Sequence, residues 1–272
     1  MTTTATKTNY APVNGIELYY QTYGEGDPLV LLHGGLGAIE MFGDVLTTLA
    51  KGRQVIAVDL QAHGRTADID RPISLEAMAD DVAALITYLG IGKADVMGYS
   101  MGGGVAVQTA IRHPEVVRKL VAVSFPFKRD GWYPEILAGM AQMGAAAAEP
   151  MKHTPMYATY SQLAPRVDDW PVLLTKMGEM LRTEYDYSTG VKTITAPTLL
   201  VVGDADSVRT SHAVEFFELL GGGQKDGGWD GSGISNAQLA ILPALTHYTI
   251  FSSPALAAVA IPFLDAPMKN TN

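Results

Sequence analysis

The chain has 272 residues, of which 47% are apolar and 17% charged, so it can fill a sizeable core and is not disordered by composition. Its 19 basic and 28 acidic residues give a net charge of −9, which argues against nucleic acid or an anionic membrane as a partner. Cysteine is absent, which excludes disulfides, thiolate metal sites and a cysteine nucleophile. The polar segment 1–14 lacks the apolar stretch of a signal peptide, so we expect a cytoplasmic protein.

Short apolar runs alternate along the chain with longer segments whose apolar residues recur at the spacing of an α-helix. An edge hairpin is predicted around Asn14-Gly15. The predicted strands are 16–20, 29–32, 55–58, 94–99, 120–123, 198–202 and 237–242. Most of them are apolar on both faces, which is typical of a parallel sheet covered by helices. The predicted helices are 75–89, 101–113, 212–220 and 254–264, and the first of them turns Asp80 and Asp81 toward solvent. This alternation predicts a doubly wound α/β fold.

Residues 126–192 interrupt the alternation, because no strand-like run occurs there. The segment carries six methionines (140, 143, 151, 156, 177 and 180) and an alanine run at 145–148. We interpret it as a helical insertion between the two parts of an α/β core, residues 1–125 and 193–272. Methionines fill irregular gaps and adapt to ligands, so most of these belong to the core of the insertion while some are candidates to line a pocket.

The motif Gly-x-Ser-x-Gly at Ser100 lies between a predicted strand and a predicted helix. A serine on so sharp a turn has a strained backbone, and side chains two residues before and after it would collide. Gly98 and Gly102 therefore occupy those positions. The hydroxyl is exposed at a helix N-terminus, which favours developing negative charge. We predict that Ser100 is a nucleophile.

A serine hydroxyl is a weak nucleophile at neutral pH and needs a general base. Histidines occur at positions 33, 63, 113, 153, 212 and 247. His247 follows the last predicted strand, and it lies downstream of both the serine and a suitable acid. We predict that His247 is the base and interpret His63 and His113 as structural.

The acid is expected at the end of the strand 198–202, where the chain reads Gly203-Asp204-Ala205-Asp206. Asp204 is next to the turn and is suited to holding the loop by backbone hydrogen bonds. Asp206 lies further into the loop, where a carboxylate can reach an imidazole and fix its tautomer. We predict Asp206 as the acid.

Acyl transfer also needs hydrogen-bond donors for the oxyanion. The backbone N–H of Met101, directly after the nucleophile, is one predicted donor. The second is expected from the glycine-rich loop after the strand 29–32, with Gly35 as first choice and Leu36 as the alternative. These loops all follow the carboxyl ends of strands, where open α/β sheets place their sites.

Together these motifs resemble the α/β-hydrolase superfamily over nearly the whole chain. The segments that carry the resemblance are 33–35 (His-Gly-Gly), 59–66 (Asp-Leu-Gln-Ala-His-Gly-Arg-Thr), 98–102, 203–206 and 246–248. The resemblance implies an eight-stranded, mostly parallel sheet with a helical cap inserted after the sixth strand, which matches the interruption at 126–192. It also implies that Asp206 is the acid and that the 59–66 turn is structural.

The resemblance implies an aspartate at the position of Ser100 in the dehalogenases and epoxide hydrolases of this family. A serine there disfavours both of these classes. We predict a serine carboxylesterase acting on small to medium apolar acyl groups, with a small-molecule ester as partner. No metal or organic cofactor is expected, and the sequence leaves homo-oligomer formation open. Serine members of the family also include lactonases, perhydrolases and acyltransferases, which the sequence does not separate from esterases. Two further alternatives are considered. One is a carbon–carbon bond hydrolase of a ring-cleavage pathway. Its dianionic dienoate substrate needs a cationic side chain near the site, and the lysines and arginines of the insertion are candidates, at positions 128, 129, 152, 166, 176 and 182. The other is a ligand receptor of slow turnover on the same fold.

Overall fold

The computed structural model describes residues 5–268, so the first four residues of the polar N-terminal segment and the last four of the chain lie outside it. Its strands are β1 (Lys7–Val13), β2 (Ile16–Tyr23), β3 (Asp27–Leu32), β4 (Arg53–Val58), β5 (Ala94–Tyr99), β6 (Val117–Val123), β7 (Thr198–Ala205) and β8 (Ala237–Thr246). They form one eight-stranded sheet in the order β1-β2-β4-β3-β5-β6-β7-β8.

The antiparallel pairings of the sheet both involve β2. β1 and β2 form a hairpin, and Asn14 and Gly15 at its turn both have positive φ. β2 pairs antiparallel with β4, whereas every later pairing in the sheet is parallel. The predicted edge hairpin and the predicted fold class, an eight-stranded and mostly parallel α/β sheet, are both confirmed.

The central strands are apolar throughout because both faces of the sheet are covered. In β3, Val30 and Leu32 belong to one buried cluster, while Leu29 and Leu31 belong to the other.

The helices outside 126–192 are α1 (Asp44–Leu49), α2 (Leu75–Tyr88), α3 (Met101–Arg112), α9 (Thr210–Leu219) and α10 (Pro254–Asp265). The four predicted helices therefore exist, with ends that differ by one or two residues.

We use the name cap segment for residues 126–192. Its helices are α4 (Pro134–Ala141), α5 (Ala148–Met151), α6 (Pro155–Leu163), α7 (Trp170–Arg182) and α8 (Ser188–Val191). Helix α7 is tied to the loop before α2, since Lys176 Nζ donates to Asp68 Oδ2 at 2.6 Å and to two carbonyl oxygens there. Whether this segment is a separate structural unit stays a prediction.

In the described range, no helix has the length and apolar character needed to cross a membrane.

The expected solvent exposure of Asp81 on α2 is wrong. Asp81 is 1% exposed, and its carboxylate accepts hydrogen bonds from Asn14 Nδ2 at 3.1 Å and from the Arg71 guanidinium. Helical periodicity places Asp80 and Asp81 side by side on the polar face, but the loop that carries Arg71 folds over only one of them. Asp80 remains at the surface and pairs with Arg112.

We expect Asp81→Ala to lower the free energy of unfolding by about 3 kcal/mol, because it leaves the Arg71 guanidinium without its buried partner. Asp80→Ala is the matched control on the same helix. Its ion pair is 37% and 41% exposed, so the expected loss is below about 1 kcal/mol. Urea denaturation of both variants measures the difference, and equal losses would contradict this prediction.

Candidate active site

The turn between β5 and α3 holds Ser100 in a strained conformation at the carboxyl edge of the sheet. Ser100 has φ +53°, a region that non-glycine residues rarely adopt. A Cβ atom on Gly98 would collide with the Gly102 carbonyl, and a Cβ on Gly102 would collide with the Leu32 carbonyl. Both glycines are therefore required by close backbone approach, and the half-buried Ser100 side chain faces a cavity.

His247 follows β8 directly and lies between a hydroxyl and a carboxylate. Its Nε2 is 3.0 Å from Ser100 Oγ, and its Nδ1 is 2.8 Å from Asp206 Oδ1. Because an ionised carboxylate only accepts hydrogen bonds, the imidazole proton belongs on Nδ1, which leaves Nε2 free to accept the serine proton. The structure thus brings together the three predicted residues, which lie far apart in sequence.

Aromatic side chains surround this imidazole. Trp132 of the cap segment packs edge-on at 5.4 Å between ring centroids, and its Nε1 donates to the Tyr185 hydroxyl at 2.9 Å. The Tyr99 hydroxyl donates to the backbone carbonyl of His247 at 2.6 Å. These contacts fix both the ring and the backbone of His247, and the sequence pattern did not identify either aromatic residue.

Of the two candidate aspartates, the structure places Asp206 against His247, whereas Asp204 is exposed. The second oxygen of Asp206, Oδ2, accepts hydrogen bonds from Ser124 Oγ at 2.5 Å and from the Gly203 N–H at 3.1 Å. Burial raises the pKa of Asp206, but the hydrogen bond and charge of His247, together with these donors, outweigh it and hold the pKa below its usual range. The group is therefore an anion at neutral pH.

The predicted oxyanion donors lie at the same cavity. Gly35, Leu36 and Met101 all line it beside Ser100. Met177 of α7 closes one side, since its Cε would be 2.8 Å from a Cβ on Gly35. The choice between the N–H groups of Gly35 and Leu36 stays a prediction.

His33 orients the peptide that carries the Gly35 N–H. Burial lowers the pKa of His33 to about 4, so the ring is neutral at pH 7. Its Nε2 accepts from the Leu60 N–H at 3.0 Å, and its Nδ1 therefore donates to the Gly34 carbonyl at 2.7 Å. Because the Gly34 carbonyl and the Gly35 N–H belong to one peptide, this bond fixes the peptide plane.

The remaining histidines lie away from Ser100. His63 is buried and contacts the Gln61 carbonyl, while His113 pairs with Asp80. His212 stacks on Phe127 at 4.3 Å, and burial lowers the pKa of His212 to about 4. His153 is exposed in the cap segment. Within residues 5–268, no group of three acidic or histidine side chains is placed to hold a metal ion.

The cavity over Ser100 has a volume of about 670 Å³ and lies between the sheet edge and the cap segment. Its walls are mainly apolar and include the methionines at 101, 140, 143, 177 and 180. Four of the six cap methionines therefore line the cavity, and the same four also pack in or against the main buried cluster. They thus serve in the core of the insertion and in the wall of the cavity at once.

Charged groups in the cavity are mostly acidic. Arg129 is the one cation among the lining residues, and it donates to Glu184 at 3.1 Å. Glu76, half-buried, accepts from the Tyr187 hydroxyl at 2.9 Å, and Glu135 also lines the cavity. The other five candidate cations, at 128, 152, 166, 176 and 182, do not line it.

Comparisons with known proteins bear on the family and the fold of the chain. A family model described as alpha/beta hydrolase fold matches residues 27–162. A 2-hydroxymuconate semialdehyde hydrolase of Pseudomonas sp. (strain CF600) is 38% identical over 121 residues, covering 41% of this chain and 43% of the relative. A pimeloyl-acyl-carrier-protein methyl ester esterase of Neisseria meningitidis is 40% identical over 128 residues, covering 45% and 48%. The chain spans less than half the length of the curated relatives it matches.

Among solved structures, a thermophilic esterase from Thermogutta terrifontis has a TM-score of 0.71, with 96% of this chain and 98% of that chain covered. Its sequence identity to this chain is 22%, so the likeness is one of fold.

Proposed function

The chain belongs to the α/β-hydrolase family, and on that premise we propose that it is a serine hydrolase that cleaves carboxylic esters through an acyl-enzyme intermediate. The observation that supports the proposal most is the pair of contacts on His247, at 3.0 Å to Ser100 Oγ and 2.8 Å to Asp206 Oδ1. This is the arrangement in which a base can deprotonate a hydroxyl while an anion stabilises the imidazolium.

In the acylation step, Ser100 Oγ forms a bond to the ester carbonyl carbon as its proton passes to His247 Nε2. The backbone N–H groups of Met101 and Gly35 stabilise the resulting oxyanion. His247 then returns the proton to the alcohol oxygen as the carbon–oxygen bond breaks, which leaves an acyl group on Ser100.

In the deacylation step, a water molecule gives its proton to His247 Nε2 and attacks the acyl carbon. Collapse of the second tetrahedral intermediate releases the carboxylic acid, and the proton returns to Ser100 Oγ. Asp206 stays ionised throughout and stabilises the imidazolium in both steps.

The substrate class we propose is an ester with an apolar acyl group. The cavity volume of about 670 Å³ lies in the range of small-molecule sites, and its methionines adapt to flexible chains. A dianionic dienoate is disfavoured, because Glu76, Glu135 and Glu184 line the same cavity and Arg129 already pairs with one of them. A carbon–carbon bond hydrolase would have to bind its substrate against this negative charge.

A panel of substrates tests the proposed function. We expect kcat/KM for p-nitrophenyl butyrate and octanoate to exceed kcat/KM for a dianionic dienoate and for a lactone. Faster cleavage of the dienoate would support the carbon–carbon hydrolase instead. Tight binding of these compounds with negligible turnover of all of them would support a ligand receptor, and either result would overturn the esterase proposal.

Gly139 of α4 provides a test of which surface binds the acyl chain. It lines the cavity, and, apart from its chain neighbours and the nearby backbone of α4, no atom of the described residues lies within 4 Å of where its Cβ would stand. We expect Gly139→Phe to lower kcat/KM for p-nitrophenyl octanoate by about 10-fold or more while acetate is little affected, because the ring fills space that only a long chain uses. Gly139→Ala is the control, and it should leave the ratio of the two substrates unchanged. A parallel loss on both substrates would contradict this placement.

A further inference from the structure

Ser124 is a buried serine directly after β6 with an unusual backbone. It is 0% exposed, and its φ of +54° lies in the region that favours glycine. Its N–H donates to the Val201 carbonyl of β7 at 2.8 Å, which holds the residue at the carboxyl edge of the sheet. A strained conformation at a non-glycine position persists only where the surrounding structure requires it.

The Ser124 side chain contacts the carboxylate that faces His247. Its Oγ donates to Asp206 Oδ2 at 2.5 Å, and the carboxylate can only accept. The Gly203 N–H also donates to Oδ2, while Oδ1 accepts from the Val208 N–H at 3.2 Å and from His247. Ser124 is thus the one side chain, among the described residues, that holds the oxygen of Asp206 turned away from the imidazole.

We propose that Ser124 is a positioning residue, which fixes the rotation of the Asp206 carboxylate so that Oδ1 stays on His247 Nδ1. The inference rests on the proposed function, since it assigns Ser124 a part in the same reaction. The two backbone donors each reach a different oxygen, and both belong to the segment that carries Asp206 itself, because Gly203 lies in β7 and Val208 in the loop after it. The Ser124 hydroxyl comes from the residue directly after the neighbouring strand β6, so it ties the carboxylate to a second strand of the sheet.

The hydrogen bond to Asp206 gives a reason for a serine at position 124 although its backbone is strained. Glycine would remove the strain at φ +54°, but it would also remove the hydroxyl. Ser124 is fully buried, so a larger side chain would have to displace its neighbours. The backbone strain is consistent with a residue retained for its side chain.

Two variants separate the hydroxyl from the backbone. Ser124→Ala and Ser124→Gly both remove the donor, but only glycine accepts the positive φ without strain. We expect both to lower kcat for p-nitrophenyl butyrate by about 10- to 100-fold, the size expected for one hydrogen bond to a charged group, with KM little changed. Thr109→Ala is the control, because it removes another buried hydroxyl, one that donates to the Val105 carbonyl inside α3.

A spectroscopic readout distinguishes positioning from a purely structural role. The proton on His247 Nδ1, in a hydrogen bond to a carboxylate, gives a far-downfield proton NMR resonance, which His247→Ala identifies by its loss. We expect this resonance to move upfield or broaden in both Ser124 variants and to stay in place in Thr109→Ala. An unchanged resonance with unchanged kcat in the Ser124→Gly variant would overturn the proposal.

The same resonance separates this inference from the proposed function. If the wild-type protein hydrolysed no ester but the resonance still responded to Ser124→Gly, the proposed function would fail and the positioning role would stand. If the wild-type protein hydrolysed esters and neither kcat nor the resonance responded, the positioning role alone would fail.

Discussion

Ser100→Ala is expected to lower kcat/KM for p-nitrophenyl butyrate by roughly 10⁴- to 10⁶-fold, because the proposed reaction forms its acyl-enzyme on Ser100 Oγ. Alanine keeps the Cβ atom and the same backbone constraint at φ +53°, so the fold should be preserved. Steady-state kinetics with a thermal melt measures both quantities. A fluorophosphonate probe should label the wild-type protein and leave this variant unlabelled.

The control for this experiment is Ser161→Ala. Ser161 lies on α6, and its hydroxyl donates to the Ala158 carbonyl of the same helix, so its removal should change neither labelling nor turnover. Persistent labelling of the Ser100→Ala protein, or a loss of turnover below tenfold, would mean that another nucleophile carries the reaction.

The second large effect is expected at Asp206. Asp206→Asn should lower kcat by about 10⁴-fold, because a neutral amide no longer stabilises the imidazolium and permits the wrong tautomer of His247. Its N–H₂ group can donate to Nδ1, which shifts the ring proton to Nε2 and removes the acceptor for the serine proton. Single-turnover kinetics with p-nitrophenyl butyrate reports this loss in the acylation step.

Asp204→Asn is the matched control, because it makes the same replacement of a carboxylate by an amide two residues away. Asp204 is exposed and His247 contacts Asp206, so the expected effect on kcat is small. The reverse pattern, a large loss at position 204 and little at 206, would assign the acid to the other carboxylate and contradict the geometry of the site.

The predictions from sequence were most accurate where one physical requirement governs a short segment. The strand 94–99 was predicted with the bounds that the structure has, since six consecutive residues are buried on both faces of the sheet. The predicted start of the helix 75–89 is also the observed one, and the Ser74 side chain directly before it accepts from the Ala77 N–H. In the turn at Ser100, backbone crowding alone explains the two glycines, because a Cβ atom on either of them would collide with a backbone carbonyl.

Errors occurred where a distant segment decides the surroundings of a residue. Asp81 satisfies the pattern of a solvent-facing helix position, but Asn14 and Arg71 cover it. The sequence also left open which cap methionines line a pocket, and only the packing of the cap segment over the sheet edge places four of them at the cavity. Ser124 carries one detectable signal, a polar residue directly after a buried strand, and the sequence analysis did not use it.

The amino-acid sequence alone determined the class of fold and the turn at Ser100, and it predicted the three side chains that the structure brings together, Ser100, Asp206 and His247. These follow from local rules: burial sets the strands, crowding sets the glycines, and chain order relates serine, acid and base. Only the tertiary structure decided which oxygen of Asp206 meets the imidazole, that Ser124 holds the other, and that the cavity carries more carboxylates than cations. The two contacts of Asp206 join residues 41 and 82 positions apart, and the cavity is lined from several distant segments, which no local pattern encodes.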